Sequence, residues 1–285
     1  MAFLVPALAP PELGAGGPFW SNPLPSYSPY DWNESIQQRN EYIEDRLKDG
    51  SPVVALTYDG GLLLLSARQT QRKIYEVYDK LMFSAIGNQS DVEQIRRGAI
   101  DAAHQEGFSR SPDDVSVQRL ISFQLSPAIK RIYGDPFAQP IVIKGIFAEL
   151  GKTPERDILM TLSYDGEFST SPGMAVVAGT AYAEDRMREH LKSETETGTP
   201  TLESGLRAAL YAWGVGMKHL EAEDRADADY STDGEGQQDV SSFITEHLGK
   251  GWTIEAGVLE RNTNRESRFR LLSEREMAEA TARYK

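Results

Sequence analysis

The side chains that most often bind metals are thinly spread along this sequence. It contains no cysteine, which excludes disulfides, thiolate metal sites and cysteine nucleophiles. The four histidines lack the spacing of metal ligands, and they are His104, His190, His219 and His247. One acidic group could surround a hard cation, but it does not match a calcium loop: Asp227, Asp229, Asp233 and Glu235. We therefore expect no metal, no cofactor, and a solvated acidic loop over residues 221–239.

The charge balance narrows the classes of partner. With 30 basic and 43 acidic residues the chain carries a formal charge of −13, so it would repel phosphate groups and nucleic acid is not an expected partner. No apolar run approaches the roughly 18 residues of a membrane span. Residues 1–10 are apolar but lack the basic region of a signal peptide. We expect a cytoplasmic protein without a membrane partner, in which one domain carries an extension.

The region best suited to hold functional groups in place runs from Gly50 to Gly107. Runs of apolar and β-branched residues, with a tight turn at Asp59-Gly60, predict two pairs of buried strands. These predicted strands cover residues 53–57, 62–65, 73–77 and 81–86. A helix follows, for which Ser90 and Glu93 predict a capping box and Gly107 predicts the end.

A helix is also predicted before this region, capped by Asp31 or Asn33 and ending at Lys48. Its apolar stripe is narrow and consists of Ile36, Ile43 and Leu47. A stripe this thin suits a helix that lies against neighbouring subunits better than one buried in a core. Residues 1–29 are rich in Pro, Gly, Ser and Ala, and this composition predicts a flexible segment.

The C-terminal half continues the alternation of helices and strands. Ser116 begins a helical stretch that Pro127 should kink, and Thr201 begins a strongly amphipathic helix. Ser273 with Glu276 predicts a capping box for a final helix. Further predicted strands cover residues 139–149, 156–164, 174–179, 252–259 and 268–272, and another helix covers 182–191. This order fits two antiparallel sheets between helical layers.

Four strands followed by a helix in this register resemble the N-terminal half of a proteasome subunit, most closely the α-type subunits of actinobacteria. The residues that carry the resemblance are Ser51, Val53 to Leu56, Gly60-Gly61, Lys73-Ile74, Tyr78-Asp79, Ala85, Gly87, Arg96 to Gly98 and Ala102. The resemblance implies an α+β fold, a four-layer α-β-β-α sandwich of two antiparallel sheets, as in N-terminal-nucleophile hydrolases. It also implies three parts: a gate segment over 1–29, a ring-packing helix over 30–49, and the sandwich over 50–285.

Active members of this family use a chain-terminal Thr as nucleophile, with an Asp and a Lys nearby. Here the nucleophile position falls on Ser51, and the position of the Asp falls on Ala67, which has no carboxylate. Pro52 constrains the peptide that would have to be freed, although Lys73 falls where active subunits keep their lysine. No nucleophile elbow supports a Ser-His-Asp arrangement elsewhere. We therefore expect no catalytic residue in this chain.

For an α-type subunit, the resemblance implies a homo-heptameric ring stacked on β-type proteasome subunits, which gates the entry of unfolded protein substrates. It further implies a pocket for the C-terminal tails of an ATPase activator. By position that pocket contains Lys73, Gly87 and Gly50, where a lysine can pair with a carboxylate and glycines allow close approach. Two alternatives stay open: an active, self-assembling β-type peptidase that begins at Ser51, and a lone binding module that reuses the fold.

Overall fold

The computed structural model describes residues 29–196, 198–224, 240–265 and 267–282, and within them two antiparallel sheets. The strands are β1 Val53–Tyr58, β2 Gly61–Arg68, β3 Ile74–Tyr78, β4 Leu81–Gly87, β5 Ile143–Glu149, β6 Ile158–Ser163, β7 Phe168–Ser171, β8 Met174–Val177, β9 Thr253–Glu260 and β10 Phe269–Leu271. Sheet A has the order β10-β9-β2-β1-β8, and sheet B has the order β3-β4-β5-β6-β7. The proposed gate segment falls outside the described residues except at its last position.

Helices cover both outer faces of this sandwich. The α-helices of the described residues are α1 Pro29–Lys48, α2 Gln89–Ser109, α3 Val117–Leu120, α4 Ser126–Tyr133, α5 Ala181–Thr195, α6 Leu202–Asp224, α7 Val240–Gly249 and α8 Glu274–Thr281, of which α2–α8 cover the faces. One apolar cluster lies between the sheets, a second joins sheet A to α5–α8, and a third joins sheet B to α2–α4. The predicted four-layer α-β-β-α sandwich is confirmed.

The first hairpin follows its sequence signals closely. Asp59 and Gly60 form the turn between β1 and β2, as predicted. Gly61 has a φ of +154°, and a Cβ at this position would overlap the carbonyl oxygen of Leu259 on β9. Only glycine lets the backbones of β2 and β9 pair at this point.

The two predicted ends of α2 are wrong. The side chain of Asn88 accepts a hydrogen bond from the amide of Ser90, so Asn88 is the N-cap. Glu93 does not reach back to the cap, because its carboxylate binds the guanidinium of Arg96 at 2.6 Å and 2.8 Å. The helix continues past Gly107 to Ser109. The type of element was correct, but an arginine one turn later competed for the carboxylate.

The kink predicted at Pro127 takes the form of a π-helical turn. Ser116 caps α3 as predicted, and residues 121–125 are π-helical before α4 begins at Ser126. Proline lacks an amide hydrogen, so the normal helical bond to the preceding turn cannot form there. The helical stretch ends at Tyr133, and Gly134 is its C-cap.

The C-terminal half contains one helix that the sequence reasoning missed. This helix, α7, packs Phe243 and Ile244 against α6 and sheet A. The acidic loop expected over 221–239 begins later than predicted, because α6 continues to Asp224. Its remainder lies outside the described residues. The capping box at Ser273 and Glu276 is confirmed.

Helix α1 lies across one end of the sandwich. It begins at Pro29 rather than after a cap at Asp31 or Asn33. Ile43 and Leu47 are buried in the cluster between the sheets, so two of the three residues of the narrow apolar stripe serve the chain's own core. The expectation that this stripe suits contact with neighbouring subunits better than burial in a core is therefore wrong for these two residues. No helix among the described residues is long and apolar enough to cross a membrane.

Candidate functional site

The structure places Lys73 and Gly50 at the same end of the sandwich. Lys73 precedes β3, and its half-buried side chain reaches back to the start of β1. There its ammonium donates a hydrogen bond of 2.8 Å to the main-chain carbonyl of Ser51, the residue after Gly50. The cation is therefore held in a fixed position by the backbone.

Gly87 closes the site from β4. A Cβ on Gly50 would lie 2.7 Å from the Cβ of Ile86, so the chain just after α1 packs directly on the C-terminal end of β4. Gly87 itself has a φ of +120°, and a side chain there would overlap the carbonyl of Val142. The three predicted site residues thus lie at one end, where the two glycines allow close packing against Ile86 and Val142.

Sequence reasoning missed Glu255, which fixes the lysine segment from β9. Its buried carboxylate accepts hydrogen bonds from the amides of Ile74 at 3.1 Å and Lys73 at 3.4 Å, and it pairs with Nε of Arg68 at 2.8 Å. The available signal was an acidic residue between the apolar Ile254 and Ala256 of a buried strand. Such a charge must have buried partners.

Burial also changes the chemistry of the lysine. Removal from water disfavours the charged form and lowers the pKa of Lys73 from its ordinary 10.5 to about 8, while the nearby carboxylate of Glu255 opposes this shift. An ammonium that is partly removed from water can bind a carboxylate more strongly than a fully exposed one.

Ser51 has none of the surroundings that a nucleophile requires. Its side chain is buried, and the residue is only 4% exposed. The indole N–H of Trp213 donates a hydrogen bond of 2.9 Å to its Oγ, and the ammonium of Lys73 contacts its carbonyl rather than its hydroxyl. Ala67, at the position of the expected carboxylate, is fully buried against the helices on sheet A. No base contacts the hydroxyl of Ser51 in these interactions.

Two of the four histidines pack against other side chains of the chain. His247 is buried on α7, where its Nε2 lies 2.6 Å from a carboxylate oxygen of Glu221 and its Nδ1 lies 3.0 Å from the carbonyl of Phe243. His190 stacks on Tyr211, and burial lowers its pKa. Asp227 and the other acidic residues considered for a cation lie outside the described part of the chain.

Comparison with known proteins finds related chains. The family model described as "Proteasome subunit" matches residues 47–212. A protein named proteasome subunit alpha from Actinosynnema mirum is 31% identical over 64% of this chain and 67% of its own length. Proteins of the same name from Kineococcus radiotolerans and Frankia casuarinae are each 27% identical, over 84% and 65% of this chain and 90% and 75% of their own lengths.

Proposed function

This chain belongs to the proteasome subunit family as an α-type member, and from that premise we propose that it forms the outer homo-heptameric ring of a cytoplasmic proteasome core particle. In this role it stacks on β-type subunits and controls the entry of unfolded proteins, without cutting them itself. The observation that carries the non-catalytic part of the proposal is the buried Ser51, whose hydroxyl is bound by an indole and whose carboxylate partner is replaced by Ala67.

The site around Lys73 supports docking of an activator through its C-terminal tail. A tail carboxylate can bind the half-buried ammonium, and Gly50 and Gly87 lie at the same end of the sandwich, packed closely against Ile86 and the carbonyl of Val142. Glu255 holds the lysine segment in place. The specific proposal is therefore that the activator docks at Lys73, Gly50 and Gly87.

Helix α1 connects this site to the proposed gate over residues 1–29. Its last turn packs on Ile86 through Gly50, and Gly179 approaches the backbone of Lys48 so closely that a side chain there would clash. These close contacts fix the end of α1 against both sheets. A displacement at the docking site would thus be transmitted to the segment before α1.

Intact mass of the chain, purified after co-expression with its β-type partner, tests the central proposal. We expect the polypeptide to retain all residues before Ser51, because no activated nucleophile can release the bond after Gly50. A species that begins at Ser51 would instead favour the active peptidase. Native mass spectrometry of the same sample should give heptameric rings with β-type subunits, whereas a persistent monomer would favour the lone binding module.

Activator docking should weaken as the pH rises through about 8, because the pKa of Lys73 lies near this value. The affinity for a peptide with the C-terminal residues of the organism's proteasomal ATPase should fall about tenfold per pH unit above it. Fluorescence anisotropy of the labelled peptide measures the affinity.

The free energy of unfolding should change in the opposite direction and rise with pH between pH 8 and 10.5. In this range the unfolded chain binds more protons at Lys73 than the folded chain does.

The matched control is Lys73→Arg, whose guanidinium stays charged across this range. Its affinity for the peptide should be nearly independent of pH between about 7 and 9.5, whereas the affinity of the native chain falls about tenfold per pH unit above about 8. Equal pH dependence of both proteins would show that another group controls docking.

A further inference from the structure

Arg39 joins the middle of α1 to the end of α4. Its half-buried guanidinium donates four hydrogen bonds to main-chain carbonyls in the last turn of α4 and in the loop that follows. These carbonyls belong to Ile132, Tyr133, Asp135 and Ala138, at 3.1, 3.2, 2.8 and 3.0 Å. Nη1 donates to the first two and Nη2 to the last two, so both terminal nitrogens of the side chain are bound to backbone.

The end of α4 presents the groups that an arginine binds best. The last carbonyls of a helix lack intrahelical partners and carry a partial negative charge, so a cation is favourable there. A guanidinium has five N–H donors in a rigid plane, whereas the ammonium of a lysine has three on a single atom. An arginine can therefore bridge the helix end and the loop in a way that a lysine cannot.

Helix α4 is itself fixed on sheet B. Ile129 is fully buried in the apolar cluster that joins this sheet to α2–α4. The hydroxyl of Ser126 donates a hydrogen bond of 2.6 Å to the carbonyl of Gly166, in the turn before β7. Arg39 therefore ties α1 to a firmly packed part of the sandwich.

Two tyrosines support α1 beside this contact. The hydroxyl of Tyr133 donates a hydrogen bond of 2.7 Å to the side-chain oxygen of Asn40, and that of Tyr164 donates one of 3.1 Å to the carboxylate of Glu44. Burial and the carboxylate of Glu44 raise the pKa of Tyr164, so its hydroxyl stays protonated and can donate. Together with Arg39, these bonds hold the middle of α1.

The N-terminal turns of α1 extend past this support. Of the described hydrogen bonds that join α1 to other elements, those of Arg39 and Asn40 lie nearest the N-terminus of the helix. The side-chain bonds described for Gln37 and Gln38 stay within α1. The direction of the helix at Arg39 therefore sets where the chain before α1 begins.

Simple geometry shows how much this direction matters. Pro29 precedes the buried Ile43 by fourteen residues, or about 21 Å along the helix. A tilt of about 20° around Ile43 would therefore move Pro29 by about 7 Å. The same tilt would move Arg39, one turn from the pivot, by about 2 Å, which is enough to break its hydrogen bonds. Its contacts with α4 thus oppose the tilt.

We propose that Arg39 is a positioning residue for the gate: by binding the end of α4, it fixes the direction in which α1 presents residues 1–29. This inference rests on the proposed function, in which that segment controls entry. Without the contact, the chain stays held just after α1, where Gly50 packs on Ile86. The docking site then keeps its geometry while the gate loses its fixed position, and substrates enter without an activator.

Electron paramagnetic resonance of the isolated full chain tests the direction of α1. The chain contains no cysteine, so nitroxide labels can be attached at Gln37→Cys on α1 and Gln105→Cys on α2, both at exposed positions. We expect a narrow distribution of distances between the two labels when Arg39 is present, and a broad or displaced one with Arg39→Ala. An unchanged distribution would overturn the proposal. This measurement decides the question even if the variant forms no rings.

Hydrolysis of an internally quenched peptide by the assembled rings tests the effect on entry. Without the ATPase, rings with Arg39→Ala should cleave the peptide about tenfold faster than native rings, because loss of hydrogen bonds to a charged group shifts a two-state equilibrium by at least this much. With saturating ATPase, both should reach the same rate, since the β-type subunits are unchanged. A general loss of structure would instead lower both rates. Arg39→Lys should lie between the two proteins.

The matched control is Arg46→Ala. Arg46 is an exposed arginine of the same helix, and its described contact is with the ring of Tyr42, also on α1. Its replacement should change neither the distance distribution nor the rate without the ATPase. If the ATPase stimulates native rings but Arg39→Ala rings keep the native rate without it, this inference is wrong and the proposed gate stands. If native rings do not respond to the ATPase, the gate is wrong and this inference falls with it.

Discussion

Replacement of Lys73 by alanine should abolish activator-stimulated degradation while the rings remain intact. A hydrogen bond to a charged group contributes about 1.5–3 kcal/mol, so each tail should lose about 10- to 100-fold in affinity. Glu255 would keep its backbone position because it belongs to the paired strand β9, and Ser51 lies two residues before the paired strand β1. Degradation of an unfolded protein, with and without the ATPase, measures the effect.

Two controls make this result specific to the site. Lys130→Ala removes an exposed lysine from α4 and should leave stimulation unchanged. Hydrolysis of a short peptide without the ATPase should be equal for both variants, since that reaction depends on the β-type subunits. Unchanged stimulation in Lys73→Ala rings would remove this lysine from the proposed docking role.

Replacement of Trp213 by alanine should have the largest effect on stability. Its side chain is fully buried between α6 and sheet A, and its indole N–H binds the hydroxyl of Ser51. Truncation of a buried Trp costs about 3–5 kcal/mol, through lost contacts and the cavity that remains. Urea denaturation of the purified chain, followed by circular dichroism, measures the free energy of unfolding.

A second variant separates packing from the hydrogen bond. Trp213→Phe keeps most of the apolar contacts but leaves the hydroxyl of Ser51 without its donor, so we expect a loss of about 1–3 kcal/mol beyond the change in volume. Trp252→Ala serves as a comparison, because this side chain is only partly buried in the same cluster. A cost for Trp213→Ala no greater than that for Trp252→Ala would contradict the assigned role.

The strands were predictable because their signals are local. A continuous apolar run and the turn at Asp59-Gly60 leave few alternatives for β1 and β2. The helix ends were harder, since Asn88 and Ser90 are both good caps and the choice depends on where β4 ends. Helix α7 was missed because it has only ten residues and follows an acidic stretch. Its apolar face is stabilised by packing against α6, which the local sequence does not show.

The candidate site could be predicted only in part, and for a physical reason. Lys73, Gly50 and Gly87 were found because the resemblance supplied their positions. Glu255 lies about 180 residues along the chain from Lys73. Trp213 lies about 160 residues from Ser51. Contacts over such separations follow from sheet pairing and helix packing, which no local pattern encodes.

The bond between Lys73 and the carbonyl of Ser51 means that the resting cation already has a ligand. An ammonium has three N–H groups, so two remain for an arriving carboxylate while the third holds the carbonyl. The bonded carbonyl belongs to Ser51, between the end of α1 and the start of β1. In the proposed docking, a single cation would therefore bridge the incoming tail and the main chain at the base of the N-terminal helix.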